Sequence, residues 1–119
     1  MSVKLTLIPV MEGLRFFNNQ TVLHPMERVS FSEVCDTQEL INNIEALHPK
    51  PLPEGKKIVL HERGDERRAS NPYGERITYL FAKDLRKMRL PKGYHQWDIA
   101  VLSLISQLPE DTPILLFWH

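Results

Sequence analysis

Cysteine is almost absent. Cys35 stands alone among 119 residues, so no internal disulfide can form, and a reducing cytoplasm is the expected compartment. Glycine is scarce as well, at five residues, and no Walker loop, dinucleotide fingerprint or Gly-x-Ser-x-Gly elbow occurs. Little material remains for a phosphate cradle, and no cofactor is expected. No apolar run approaches the roughly eighteen residues that a membrane span needs. The opening "MSVKLTLIPVMEGLRFF" lacks the small-residue cleavage site of a signal peptide. No membrane contact is expected. Net charge is missing too, since fifteen Lys and Arg balance fifteen Asp and Glu. The chain therefore lacks the global field that gathers nucleic acid non-specifically.

What is present reads as one globular domain over residues 1–119, with 42% hydrophobic and 25% charged residues. A chain of this length buries about two thirds of its unfolded surface. The charges are unevenly spread. Residues 1–55 carry four Lys and Arg against seven Asp and Glu, and residues 56–119 carry eleven against eight. Most of the basic excess lies in "KDLRKMRLPK", residues 83–92.

The elements follow from periodicity and punctuation. "VKLTLIPV" (3–10) reads as a strand, "LRFF" and "QTVLH" (14–17 and 20–24) as a hairpin, and "RVSFS" (28–32) as a short strand. "DTQELINNIEALH" opens on Asp36, with Glu39 three residues on, in the pattern of a capping box. Leu40, Ile41, Ile44 and Leu47 then share a helical face. The prolines at 49, 51 and 53 read as a stiff connector. "KKIVLHE" (56–62) and "RITYLFA" (76–82) are the most strand-like runs and are expected to pair antiparallel. "KDLRKMRL" reads as a helical turn. "YHQWDIAVLSLISQL" reads as a helix with Trp97, Ala100, Val101, Leu104, Ile105 and Leu108 on one face. The closing "PILLFWH" is apolar at five successive positions, as expected of a central strand. The expected fold is α+β, with one mixed, mainly antiparallel sheet of about five strands and two amphipathic helices packed on one face.

Between the two strand-like runs lie fifteen residues, 61–75, of which seven are charged. Asn71-Pro72-Tyr73-Gly74 supplies turn chemistry, but the excursion is far longer than an ordinary hairpin loop. Such an excursion reads either as a solvated surface loop or as a contact arm, since long polar segments are surface features first and are over-represented at contact surfaces. The candidate surface combines Arg63, Arg67, Arg68 and Tyr73 with Lys83, Arg86, Lys87, Arg89 and Lys92 of the basic segment. Charge reversal at Arg86 and Lys87 is expected to leave the fold intact.

No catalytic or metal-ligand set emerges from the residue spacing. The five histidines offer His95 and Asp98 as their nearest helical pair, and two ligands do not make a site. Cys35 reads as a small buried hydrophobe. The preferred function is a non-enzymatic interaction or regulatory protein that binds another macromolecule, with a protein as partner. One alternative is nucleic-acid or nucleotide binding through residues 83–92, with Tyr79, Phe81 or Tyr94 as stacking partners. A second alternative is a metal-independent phosphodiesterase. It would take His61 or His95 as base, Glu62 as acid and a nearby arginine to steady the developing charge. A homodimer is also expected, because the apolar C-terminal run and the charge asymmetry both leave surface to cover.

Overall fold

A computed structural model describes residues 3–10, 22–32, 37–60 and 66–119. Its larger sheet runs in the order β3-β1-β8-β7-β4, formed by Val29–Ser30, Leu5–Pro9, Pro113–Trp118, Thr78–Phe81 and Lys50–Pro51. Every pairing in it is antiparallel. A smaller sheet holds β2 (Val22–Leu23), β5 (Lys57–Leu60) and β6 (Glu66–Arg68). There β2 runs parallel to β5, and β6 runs antiparallel to it. The helices are α1 (Thr37–Glu45), the single turn α2 (Ala82–Leu85) and α3 (Gln96–Ser106). The architecture is α+β.

Strand β8 lies between β1 and β7, which explains its unbroken apolar run. Its even positions Ile114 and Leu116 join Leu5, Leu7 and Leu80 in a buried cluster with Leu40 and Ile44 of α1 and Val101 and Ile105 of α3. Its odd position Leu115 joins Ile8 and Tyr79 in a second cluster, which contains Leu23 and Ile58 of the smaller sheet. Each side chain of this size contributes roughly 1.5–3 kcal/mol when fully buried, so a central strand loaded on both faces anchors both layers.

Several expectations are corrected. The runs 57–62 and 76–82 do not pair with each other: β5 belongs to the smaller sheet and β7 to the larger. Pairing partners are set by tertiary contacts that alternation does not encode. Residues 66–76 are structured instead. Strand β6 turns back on β5, and a bridge between Ser70 and Arg76 then closes a tight turn over Asn71–Glu75. Residues 22–23 run parallel to β5, whereas "LRFF", their expected hairpin partner, lies outside the described residues, as do Cys35 and the capping residue Asp36. The proline-rich segment is also more than a connector. Lys50–Pro51 forms the outer strand β4, and the Leu52 amide donates to the Ile77 carbonyl at 2.9 Å. Proline is tolerated there because an outer strand has one side without ladder partners.

The buried face of α3 is the last correction. Asp98, Val101 and Ile105 point inward, while Trp97, Ala100 and Leu104 are exposed. The helix is apolar nearly all round, so periodicity could not choose between its faces. A polar lock chooses, as described next.

Candidate functional site

Helix α3 begins at His95. The His95 amide donates to Asp98 Oδ2 at 2.9 Å, and the Trp97 amide donates to His95 Nδ1 at 3.1 Å. This is a capping box, so the histidine and the aspartate one turn apart satisfy orphan amides of the first turn. Asp98 does more. Its Oδ1 accepts the Ser32 amide at 2.6 Å and its Oδ2 accepts the Ser32 hydroxyl at 2.7 Å, which ties α3 to the chain leaving β3. The side chain is 1% exposed. Burial pushes its carboxyl pKa up, but the hydrogen bonds from His95 and Ser32 and the nearby His95 ring hold it below the ordinary value. Trp97 is pinned at the same corner, where its indole N–H donates to the Ser30 carbonyl at 2.6 Å.

This rotation turns apolar side chains outward along two edges of the helix. Trp97 and Leu104, seven residues apart, share one edge and are 51% and 47% exposed, and Ile99, 46% exposed, lies on the other, with Tyr94 at 53% just ahead of the helix. Asp98 is the only charged residue of α3, and it is buried. The outer face of the helix therefore offers carbon, serine and glutamine, with no charge. Beside it runs the basic segment, and between the two is a shallow cavity of about 240 Å³ lined by Arg86, Leu90, Ile99, Leu102, Ser103 and Ser106.

The segment 83–92 is packed rather than loose. Leu85 and Met88 are buried in the main cluster. Asn43 of α1 donates to the Arg89 carbonyl at 2.8 Å, and the Lys92 amide donates to Glu39 at 2.8 Å. Arg86 is not a free surface cation. Its guanidinium donates to the Ser106 and Leu108 carbonyls at 2.9 Å each and lies 3.5 Å from Glu110. It caps the C-terminus of α3, where the helix dipole favours a cation. Lys83, Lys87, Arg89 and Lys92 keep exposed side chains.

The sequence-derived contact residues fall into three places. Arg63 lies outside the described residues, with His61 and Glu62, and Arg67 sits on β6 opposite Val59. Arg68 donates to the Ser70 carbonyl at 3.1 Å and sits 5.8 Å from the Phe117 ring centre. Tyr73 lines a separate cleft with Val3, Ile41, Glu45, Glu75 and Trp118. Among the described contact residues, Arg86 lines the groove against α3, while Lys83 lies in another cleft and the backbone of Arg89 and Lys92 is bonded to Asn43 and Glu39 of α1.

A further cleft, of about 320 Å³, brings Lys50 and Lys83 beside Tyr79 and Phe81. Its aromatics serve stacking poorly. Tyr79 is buried, which raises its phenol pKa, and Phe81 packs edge-on against it at 5.7 Å with the Lys83 ammonium 5.8 Å from its centre. Asp84, also in the lining, has its carboxylate on the Phe81 amide at 3.1 Å.

The residues that sequence reasoning missed are Ile99 and the outward placement of Trp97 and Leu104. Their one signal was the absence of any charge but Asp98 between residues 96 and 107. Among the described residues no three His, Cys, Asp or Glu side chains converge as metal ligands, and no helix is long and apolar enough to cross a membrane. No protein-family model, curated protein or solved structure matches the chain.

Proposed function

We propose that this is a non-enzymatic protein-binding domain whose docking surface is the outer face of α3 together with the basic segment 83–92. The observation that carries the reading is the uncharged outer face of α3, where half-exposed Trp97 and Leu104 lie on one edge and Ile99 on the edge that meets Arg86 and Leu90. An apolar patch of this kind, rimmed by charge, is the usual mark of a protein contact. Trp97 suits an anchoring role because its indole is already fixed on Ser30, so little rotamer freedom is lost on binding. The charge of the rim specifies the partner. The groove has an apolar floor and a cationic edge, so it fits an apolar segment flanked by Asp or Glu, such as one face of an amphipathic helix. A second copy of α3 presents no exposed acid, which makes a homodimer through this face the weaker fit. Phosphate contacts by Lys83, Lys87, Arg89 and Lys92 are the nucleic-acid counterpart, without an exposed aromatic platform at Tyr79.

A photo-crosslinking residue at Ser103 tests the proposal directly. Expected products are peptides that carry apolar residues beside Asp or Glu, lost in Ile99→Glu and reduced in Lys87→Glu with Arg89→Glu. The fold should survive the paired charge reversal within about 0.5 kcal/mol, since both side chains are exposed. Crosslinks only to a second copy, with light scattering at the dimer mass, would replace the proposal with self-association. Sequence-independent retention of nucleic acid that collapses with salt would replace it with the phosphate reading.

A further inference from the structure

The Tyr73 cleft shares no residue with the α3 groove and has a different chemistry. It encloses about 330 Å³ and is lined by Val3, Ile41, Trp118, Tyr73, Glu45 and Glu75. Two aromatics and two aliphatics make the walls, and among the described residues its charges are two carboxylates, with no lysine or arginine in the lining. Arg76 follows Glu75 in the chain, yet its guanidinium donates to the Leu52 and Pro53 carbonyls at 2.8 and 2.9 Å. It is committed to the opposite neighbour, and the cleft stays anionic.

The walls are held by backbone and buried contacts. Asn71 is 4% exposed, and its Oδ1 accepts the amides of both Tyr73 and Glu75, at 2.9 and 3.0 Å. The Asn71 amide donates to the Glu75 carbonyl at 2.8 Å, and the Gly74 amide to the Asn71 carbonyl at 3.0 Å. Gly74 has φ +81°, a backbone state that other residues enter at a cost. This turn therefore sets the positions of Tyr73 and Glu75 together. Opposite, Leu5 pairs with Trp118, and Lys4 exchanges both backbone hydrogen bonds with His119 at 2.7 and 2.8 Å. Ile41 and Glu45 are four residues apart on α1, so they present one face to the cleft. A site assembled from three fixed elements pays little ordering entropy when a ligand enters.

The chemistry selects a cation. A bare metal ion is a poor fit, because Ca²⁺ takes about six to eight oxygen ligands and the lining offers two carboxylates among carbon. A primary ammonium gains less here, since it is a compact, strongly hydrated charge that makes little use of carbon and aromatic walls. An alkylated ammonium fits better: it spreads its charge over methyl groups that pack on aromatic faces, and the carboxylates balance it without needing directed hydrogen bonds. We propose that this cleft binds an alkylammonium group, the ligand chemistry shared by small quaternary amines and by methylated lysine side chains.

The test uses the full chain and follows the amide signals of Tyr73, Gly74 and Glu75 and the Trp118 indole by NMR. Choline, its neutral carbon isostere 3,3-dimethylbutanol, a trimethyllysine peptide and the same peptide unmethylated are titrated at matched ionic strength. Choline or the methylated peptide should shift these signals saturably, at least about tenfold more tightly than its uncharged or unmethylated counterpart. Tighter binding of the peptide than of choline assigns the source to a modified protein, and the reverse order assigns it to a free amine. Glu45→Gln with Glu75→Gln should weaken binding about tenfold or more, and Tyr73→Leu likewise, while Tyr73→Phe keeps the ring and the binding. Equal binding of the neutral isostere, shifts confined to other residues, or no saturable shift with either cation would overturn the proposal.

Discussion

Replacing Asp98 with alanine removes one carboxylate and strands three donors. The Ser32 amide at 2.6 Å, the Ser32 hydroxyl at 2.7 Å and the His95 amide at 2.9 Å all converge on it, in a place where the side chain is 1% exposed. Each hydrogen bond to a charged group is worth roughly 1.5–3 kcal/mol net, and the three share one acceptor, so the loss is less than additive at about 3–5 kcal/mol. A domain of this size is stable by only about 5–15 kcal/mol, so the variant should melt roughly 10–20 °C lower. Ser32→Ala removes the hydroxyl alone and should cost about 1.5–3 kcal/mol. In a double-mutant cycle Asp98→Ala with Ser32→Ala should therefore be less damaging than the sum of the two. The pH dependence has a fixed sign. The folded-state pKa of Asp98 is depressed, so its contribution is complete above the unfolded value of about 3.9 and is lost as pH falls through the folded value. The stability gap between wild type and Asp98→Asn should then be constant near neutrality and shrink in acid. Chemical denaturation at a series of pH values measures it. A cost below about 1 kcal/mol, or a gap that stays unchanged down to about pH 3, would refute the lock.

Three further outcomes are expected. Arg86→Ala should cost about 1–2 kcal/mol and fray the last turn of α3, read as lost amide protection at Ser106 and Leu108, whereas Lys87→Ala should be near neutral. Asn71→Ala should cost about 1–3 kcal/mol, because the Tyr73 and Glu75 amides lose their shared acceptor, and Gly74→Ala should cost about 1–2 kcal/mol from the left-handed backbone alone. Both are read by thermal melts. Thr6→Val should cost about 1 kcal/mol by the same assay, since the buried Thr6 hydroxyl lies 2.6 Å from both the Ser30 hydroxyl and His119 Nε2.

The central strand was legible from five successive apolar residues, because only burial on both faces explains such a run. The fold class followed from it and from the spacing of Leu40 and Ile44. Strand partners were not legible: Ile58, Ile77 and Tyr79 do share a cluster, yet they come from different sheets, and inward parity says nothing of hydrogen-bonded neighbours. The outer face of α3 was hidden for a related reason. Its pattern is apolar on every side, and the deciding contact spans Ser32 to Asp98, 66 residues apart. Arg86 read as surface charge because sequence does not reveal which carbonyls end a helix 20 residues later.

The prolines at 49, 51 and 53 carry a consequence for how this chain behaves when concentrated. Just past β4, Leu52 turns its amide to the carbonyl of Ile77, which leads into β7, and Lys50 lies in the same register opposite Tyr79. Backbone groups of successive strand residues alternate sides, so Pro51 faces away from the sheet, with Pro49 and Pro53 flanking the strand. All three lack an N–H. At β4 the rim of the larger sheet therefore offers a passing strand the Pro51 carbonyl but no donor, and the Pro53 carbonyl is already taken by Arg76 and the Lys56 amide, so half of any ladder it might template cannot form. A second layer of protection comes from Lys50, between Pro49 and Pro51. Fibrillar growth from this rim is blocked by covalent structure rather than by a covering element, and the block persists while the helices breathe. Replacing Pro51 with valine would leave the native ladder to β7 intact and open that rim, and thioflavin-reactive assembly should then appear at protein concentrations where the parent chain stays dispersed.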